Sequence, residues 1–337
     1  MSEPYPLVFQ PMLLEKVWGG RRLGSFGKPL EEKKLYGESW EVADLGATAE
    51  SGGGGGARRS VIANGALAGK TIHAALRQWD EGMLGLAQPA ADGGFPLLVK
   101  FLDARQHLSV QVHPTPAYAE ANPGAALKTE CWYVLAAETG ERGEEPVIFK
   151  GFRPGVTMDD FREAIAAGTV PELLNSVPAV PGEMHEIPSG TVHALGAGVL
   201  VAEVQTPSDT TFRVFDWIQR YNRPARELHV REALESTLFE EPPTATRAEG
   251  DGELLRNGYF AVRQLRAHCE EKAFAKANTC TVLMVTQTMG ASLASKGGKF
   301  AELPLDAGKT AVIPAACADD VVLRGGPGTR ALVIEAV

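Results

Sequence analysis

The sequence predicts a mainly β protein of the sandwich or barrel type with helical insertions. Apolar runs are short, 37 glycines and 22 prolines separate them, and helical patterns are few. Many short strands joined by turn residues are typical of sandwiches and barrels. The predicted strands are residues 97–102, 108–113, 131–136, 147–150, 199–206, 211–217, 261–265, 281–286, 310–314 and 331–335.

Three segments have helical patterns. Thr157 followed by Asp160 predicts a capping box at the start of a helix, and Gly168 predicts its end. Within it, Phe161 and Ile165 form an apolar pair one turn apart. Residues 71–82 and 226–238 are the other two predicted helices.

Length and composition predict about two domains. The chain has 337 residues, of which 44% are hydrophobic, and domains average roughly 150 residues. A segment around Pro242-Pro243 resembles a linker, so we predict a main domain at 1–245 and a smaller β-domain at 250–337. Ile187-Pro-Ser-Gly-Thr-Val-His193 is echoed by Ile313-Pro-Ala-Ala-Cys-Ala-Asp319. The echo indicates either a second, degenerate copy of one β-unit or a coincidence.

Charge and cysteine content exclude several classes of protein. Lys and Arg number 33 against 42 Asp and Glu, a net charge of −9, which argues against nucleic-acid or anionic-membrane binding. The sequence contains no run of 18 apolar residues, so we predict no membrane span. The N-terminus lacks the pattern of a signal peptide. The four cysteines form no CxxC pair, so we expect a reducing, cytoplasmic setting.

The five glycines at 52–56 are the most biased segment of the chain. They lack the spacing of a phosphate loop and no Lys-Ser/Thr pair follows them. We interpret the run as a flexible surface loop.

A polar row lies along one predicted strand. Ser109, Gln111 and His113 alternate with apolar residues, so they share one face. The row fits either a solvated edge strand or a set of metal and ligand contacts inside a barrel.

Two further segments supply possible metal ligands. Lys128 and Glu130 precede an apolar strand, and a Pro-x-Gly turn leads to His193 in a form like the second motif of cupin barrels. Two imidazoles, a carboxylate and the Gln111 amide make a mixed nitrogen and oxygen set that suits zinc and related metals.

Glu203 and Arg213 are charged residues in apolar strands. Both faces of the strand around Glu203 are mainly apolar, so its carboxylate needs a partner or a function. Arg213 is the nearest cation on the next strand, and we expect the two to share a cavity with the metal. Arg213 could instead stack on its aromatic neighbours as a structural residue. Asp209 precedes Arg213 by four residues.

Several segments in order resemble the phosphomannose isomerases, in particular the short bacterial class: FPLLVKFLDA, LSVQVHP, KTECWYVL, IPSGTVHALGAG and VAEVQTPSDTTFRVFDW, with KVWGG and GESWE nearer the N-terminus. The resemblance covers nearly the whole chain. It implies a metal-binding cupin, a jelly-roll β-barrel with helical insertions and a smaller C-terminal β-domain.

The resemblance also implies roles for individual residues. His113, Glu130 and His193 match zinc ligands, and Gln111 matches a fourth ligand of some members. Arg213 matches the active-site arginine. Pocket residues are matched by Ser109, Lys128, Glu203 and Asp209. The glycine run departs from the family pattern, and Gln219 stands where longer eukaryotic-type members have Lys. The group that holds the phosphate is therefore open.

The implied activity is the zinc-dependent interconversion of mannose 6-phosphate and fructose 6-phosphate through a cis-enediol. Glu203 is our first candidate for the proton carrier and Asp209 the second, while Lys128 and Arg213 are cations for the phosphate or the developing oxyanion. Two alternatives are another metal-dependent cupin enzyme, such as an iron oxygenase, and a non-catalytic sugar-phosphate-binding cupin. We expect no catalytic group beyond residue 250.

Overall fold

In this computed structural model, which describes residues 3–49 and 54–337, strands dominate. Every predicted strand is present, with its bounds shifted by a few residues at most. In chain order the strands are β1 (Leu7–Val8), β2 (Met12–Gly20), β3 (Tyr36–Val42), β4 (Asp44–Leu45), β5 (Arg58–Arg59), β6 (Leu98–Ala104), β7 (Val110–Val112), β8 (Glu130–Ala137), β9 (Val147–Phe152), β10 (Leu174–Pro178), β11 (Glu183–Ile187), β12 (His193–Leu195), β13 (Val199–Gln205), β14 (Phe212–Phe215), β15 (Thr246–Arg247), β16 (Gly252–Arg256), β17 (Phe260–Ala267), β18 (Glu271–Ala273), β19 (Thr281–Gln287), β20 (Ala291–Ser295), β21 (Leu303–Pro304), β22 (Thr310–Ile313), β23 (Val321–Gly325) and β24 (Thr329–Ala336).

Short helices connect these strands. They are α1 (Ile72–Trp79), α2 (Glu81–Leu84), α3 (Pro116–Ala121), α4 (Met158–Ala167), α5 (Ile218–Tyr221) and α6 (Val230–Ser236). Single 3-10 turns lie at Arg22–Phe26, Gly65–Leu67, Val170–Leu173 and Ala315–Cys317. No helix in the described ranges is long and apolar enough to cross a bilayer.

The helix predictions hold in part. Thr157 and Asp160 form the capping box of α4, and Gly168 ends the helix at φ 72°. The predicted helix 71–82 is divided between α1 and α2, because Asp80 between them has φ 46°, which no helix accommodates. The predicted helix 226–238 is confined to α6.

Two antiparallel sheets enclose the first core. One has the order β15-β11-β8-β13-β6-β2-β3 and the other β10-β9-β12-β7-β14. Their facing apolar side chains form one cluster, in which Val134 and Val201 of the larger sheet lie with Ile148 and Leu195 of the smaller. Because strand residues alternate between faces, Glu203 points into the same interface as Val201.

A second pair of sheets repeats this arrangement. Their orders are β1-β22-β19-β24-β17-β16 and β18-β23-β20-β21. Within them, the order β22-β19-β24-β17 repeats β11-β8-β13-β6, and β21-β20-β23-β18 repeats β10-β9-β12-β7. The two echoed sequence segments begin at equivalent places, because Ile187 ends β11 and Ile313 ends β22.

The two pairs of sheets pack back to back. Leu200, Ala202 and Val204 on the outer face of β13 share a core cluster with Val282 and Ile334 of the six-stranded sheet. The N-terminal strand β1 pairs with β22, so the start of the chain joins the C-terminal sheet. The predicted division at residue 245–250 stays a prediction.

Only part of the glycine run is described. Gly54, Gly55 and Gly56 have positive φ angles, which glycine adopts without steric cost. Gly52 and Gly53 lie outside the described residues.

Candidate metal centre and cleft

Pairing in the five-stranded sheet sets three polar residues in a row. Gln111 on β7 lies opposite His193 on β12 and opposite Arg213 on β14. Residues paired across antiparallel strands project on the same side of a sheet. The register therefore places an amide, an imidazole and a guanidinium on one face, with His113 following directly after β7.

The facing sheet contributes a second row. Glu203 on β13 lies opposite Trp132 on β8 and opposite Lys100 on β6. Glu130 begins β8 two residues before Trp132, so it projects on the same face. The two sheets thus direct polar groups at each other across an otherwise apolar interface.

His113, Glu130 and His193 meet between the sheets. The Nε2 of His113 lies 3.4 Å from Oε2 of Glu130, and the Nε2 of His193 lies 3.3 Å from Oε1. All three residues are buried, and one ligand atom from each lies within 4.8 Å of the others. In the described part of the chain this is the one cluster of at least three such groups with metal-binding geometry.

The hydrogen bonds of the two imidazoles fix their tautomers. The Nδ1 of His113 is 3.0 Å from the carbonyl of Thr210, and the Nδ1 of His193 is 2.8 Å from the carbonyl of Thr191. A carbonyl only accepts, so each Nδ1 carries the proton and each Nε2 presents its lone pair. A second hydrogen bond of this kind is what orients a metal-ligating histidine.

The cluster fits a divalent cation. Two imidazole lone pairs face a carboxylate with no proton between them, and the Nε2 of His113 and both oxygens of Glu130 are buried with no hydrogen bond of good geometry to the described residues. Such a set is repulsive by itself, and a cation makes it favourable. Nitrogen and carboxylate donors are those that zinc takes.

Local charges keep the ligands in the forms that bind metal. Burial and the nearby Lys128 ammonium lower the pKa of His113 to about 3, so the ring is neutral. Burial opposes ionisation of Glu130, but the Lys128 ammonium, at 3.0 Å, holds its pKa well below the ordinary value. The carboxylate is therefore charged at neutral pH.

Gln111 borders the cluster through its amide. Its Nε2 lies 3.4 Å from the Nε2 of His193. An amide nitrogen is not a metal ligand, so ligation through Gln111 requires its oxygen at this position, a half-turn of the amide.

Glu203 is paired with Lys100 and not with Arg213, the nearest cation on the next strand in sequence. Its Oε2 lies 3.1 Å from the Nζ of Lys100, and its Oε1 accepts a 3.0 Å hydrogen bond from Trp132 Nε1. Arg213 lies in the other sheet and donates from Nη1 to the carbonyl of Glu227 at 2.9 Å. Burial raises the pKa of Glu203 in spite of the Lys100 ammonium.

A cleft lies beside this cluster. The predicted site residues Ser109, Gln111, Lys128, Glu203, Asp209 and Arg213 all line it. Sequence reasoning missed other lining side chains, among them Lys16, Trp18, Glu38, Trp40, Lys100, Thr211 and Arg226.

Some of the missed residues form a charged group around Lys100. Its Nζ donates to Gln205 at 2.7 Å, lies 3.9 Å from Glu38, and sits 5.0 Å from the centre of the Trp40 ring. Burial opposes the charge of Lys100, but the carboxylates of Glu203 and Glu38 raise its pKa. A lysine inside the apolar run FPLLVKFL was the sequence signal for this position.

Asp209 holds the base of the glycine-rich loop. Its Oδ2 accepts a 2.8 Å hydrogen bond from the backbone N–H of Ala49. Gln219 is exposed on α5 and is not among the residues that line the cleft. Asp319, the echo of His193, is exposed at the surface of the second unit.

The fold and the site together define a metal-binding cupin. A family model described as "Phosphomannose isomerase type I, catalytic domain" matches residues 7–143. Mannose-6-phosphate isomerase ManA of Bacillus subtilis (strain 168) is 37% identical over 232 residues, 68% of this chain and 67% of that protein. Mannose-6-phosphate isomerase of Streptococcus mutans serotype c is 35% identical over 245 residues, which are 72% of this chain and 71% of that protein.

A solved structure extends the likeness to nearly the whole chain. The crystal structure of the mannose 6-phosphate isomerase from Bacillus subtilis superposes with a TM-score of 0.76 at 26% identity, covering 98% of this chain and 99% of that one. This chain therefore belongs to the phosphomannose isomerase family.

Proposed function

We propose that the protein is a zinc-dependent aldose–ketose isomerase that interconverts mannose 6-phosphate and fructose 6-phosphate. The observation that carries the proposal is the buried His113–Glu130–His193 cluster beside a cleft that holds Glu203 against Lys100. Membership in the family supports the same reaction and substrate.

His113, Glu130 and His193 would hold one zinc ion, with Gln111 as a fourth ligand. When bound, zinc supplies a fixed positive charge that polarises the oxygens on C1 and C2 without redox chemistry. The chain's own contribution is to fix the two imidazoles through Thr210 and Thr191.

Glu203 is our candidate for the proton carrier. Its Oε2 is ion-paired with Lys100 at 3.1 Å and belongs to a carboxylate that lines the cleft. In the forward direction it takes the proton from C2 of the open-chain aldose, the electron pair forms the C1=C2 bond, and O1 gains the negative charge. Return of the proton to C1 and loss of the O2 proton to O1 give the ketose, and Glu203 is again ionised.

Two lysines stabilise charge in this scheme. Lys100 keeps Glu203 oriented through their 3.1 Å contact, and its ammonium remains beside the proton carrier when the carboxylate is neutralised. Lys128 lies beside the cluster, 3.0 Å from Glu130, where it stabilises the developing enediolate oxygen. Asp209 is the second candidate for the proton carrier.

We further propose that residues 250–337 form a structural unit without catalytic groups. The echo segment carries Asp319 where the first unit carries His193, and Asp319 is exposed. No residue of this range lines the cleft.

A coupled assay tests the proposed reaction. Purified protein should convert mannose 6-phosphate to fructose 6-phosphate, lose the activity after treatment with a chelator, and regain it when Zn²⁺ is added. A protein that holds metal and shows no conversion would contradict the proposal and favour a sugar-phosphate-binding role.

A further inference from the structure

Two arginines leave buried donors unused at one side of the cleft. Arg213 on β14 and Arg226 in the segment after α5 both line it. The Nε of Arg213 and the Nη2 of Arg226 are buried and have no hydrogen-bond partner among the described residues. Buried N–H groups without an acceptor destabilise a fold unless a ligand accepts from them.

Both guanidinium groups are held in place by their other nitrogens. Arg213 Nη1 donates to the carbonyl of Glu227. The backbone carbonyl of Arg213 accepts from the backbone N–H of His229 at 2.8 Å, and the backbone N–H of Arg213 donates to His229 Nδ1 at 3.2 Å. Arg226 Nε donates to Oδ2 of Asp216 at 2.7 Å. The unused donors are therefore fixed in position and not free to turn to solvent.

The charge around these donors is unbalanced. Asp216 is a buried carboxylate that also binds Arg223, whose Nη1 lies 3.2 Å from Oδ1. Arg223 and Arg226 therefore share one buried carboxylate, whose charge Arg213 senses without a direct contact, while the Glu227 carboxylate near Arg213 is on an exposed residue. Burial and the charge of Arg226 lower the pKa of Arg213 to about 10, so it is still protonated at neutral pH. A dianion would balance this surplus, and the planar fork of arginine matches the oxygens of a phosphate.

We propose that Arg213 and Arg226 form the phosphate-binding subsite of the cleft, with Asp216 as the residue that orients Arg226. The inference rests on the proposed function, since it assigns the phosphate end of that substrate. With the phosphate held by the two arginines, Lys128 acts at C1 and C2, the reacting end of the substrate.

The order of the strands fits a substrate that extends from the metal cluster to the two arginines. From His193 on β12 the sheet passes through β7 to β14, its edge strand, and neighbouring strands lie about 4.8 Å apart. A hexose phosphate with C1 and C2 at the metal cluster and its chain directed toward β14 places its sixth carbon at this edge.

The test compares ligands with and without a phosphate. Calorimetric titration of the full-length protein with mannose 6-phosphate, inorganic phosphate and mannose separates a sugar-phosphate site from a site for free phosphate. Arg226→Ala should weaken binding of mannose 6-phosphate roughly 10- to 100-fold. It should leave mannose binding unchanged and raise KM with kcat within about threefold. Arg226→Lys keeps the charge and the packing of the stem, so it should recover part of the affinity.

Arg231→Ala is the matched control, because Arg231 is an exposed arginine on α6 whose ion-pair contacts to the described residues are long, at 3.9 Å. It should bind all three ligands as the unchanged protein does. Inorganic phosphate that binds as tightly as mannose 6-phosphate would overturn the sugar-phosphate assignment. Wild-type affinity for mannose 6-phosphate in Arg226→Ala, or an equal loss for mannose, would overturn the subsite.

The proposed reaction and the proposed phosphate subsite can be disproved independently of each other. If the unchanged protein shows no isomerase activity but Arg226→Ala loses selectivity for mannose 6-phosphate over mannose, only the proposed reaction is wrong. If the protein is an active isomerase and Arg226→Ala retains that selectivity, only the subsite is wrong.

Discussion

At the scale of single residues, Glu203 is the group on which the proposed chemistry depends most. Glu203→Gln keeps the shape of the side chain and removes the base, so kcat should fall roughly 10²–10⁴-fold, the usual effect of losing a general base. Zinc content should be unchanged, because Glu203 lies outside the His113–Glu130–His193 cluster.

Exchange of the hydrogen on C2 with deuterium from the solvent isolates the proton-transfer step from product release. Glu203→Gln should exchange this hydrogen far more slowly than the unchanged protein. Exchange at the wild-type rate would assign Glu203 a structural role beside Lys100 and make Asp209 the leading candidate for the base.

Lys100 is the counter-ion that our sequence analysis did not identify. Lys100→Met leaves the carboxylates of Glu203 and Glu38 without the ammonium between them. Removing one partner of a buried ion pair costs about 3–5 kcal/mol, so the free energy of unfolding in urea should fall by about that amount. Glu203→Gln in the Lys100→Met background should restore part of the loss, and no coupling between the two changes would contradict the pairing.

At the scale of elements, the connection between β8 and β9 is tied to α5 by Glu144. Its Oε1 accepts from Tyr221 at 2.7 Å and from Arg220 at 3.0 Å, and its Oε2 accepts from the backbone N–H of Arg142. Burial opposes the charge, but these donors lower the pKa of Glu144 from 4.5 to about 2.

A carboxyl group whose pKa is lower in the folded than in the unfolded state stabilises the fold above its unfolded pKa. That stabilisation is complete above about pH 4.5 and is lost as the pH falls toward 2. Glu144→Gln should therefore unfold more easily than the unchanged protein at pH 7, with the difference shrinking between pH 4.5 and 2. A difference that does not change with pH would show that the Glu144 charge is not the stabilising feature.

Ten of the 24 strands in the described residues could be predicted because their signal is local. The alternation of residues along a strand placed Gln111 and His113 on one face of their strand. It also placed Glu203 on the same face of β13 as Val201, and the structure retains both arrangements. The partner of Glu203 could not be found this way, since β13 lies between β8 and β6 while β14, next in sequence, belongs to the other sheet. The order of strands in a sheet is a long-range property, so the nearest cation in sequence is not the partner of Glu203.

At the scale of the whole molecule, two units with the same strand order differ in their chemistry. Only the first carries the metal cluster among the described residues. His268→Ala and Asp319→Ala change exposed side chains of the second unit, so turnover of mannose 6-phosphate should be nearly unchanged in both. A hundredfold loss with an unchanged thermal midpoint would show that the second unit takes part in the reaction.

The central claim is that His113, Glu130 and His193 hold a metal ion that the reaction needs. Elemental analysis of His113→Ala alongside the coupled assay tests it most directly, with His73→Gln as the matched control, since His73 is paired with Asp44 and lies outside the cluster. We expect one divalent metal ion per chain in the unchanged protein and in His73→Gln, and loss of metal and activity together in His113→Ala. Full metal content in His113→Ala would contradict the assignment.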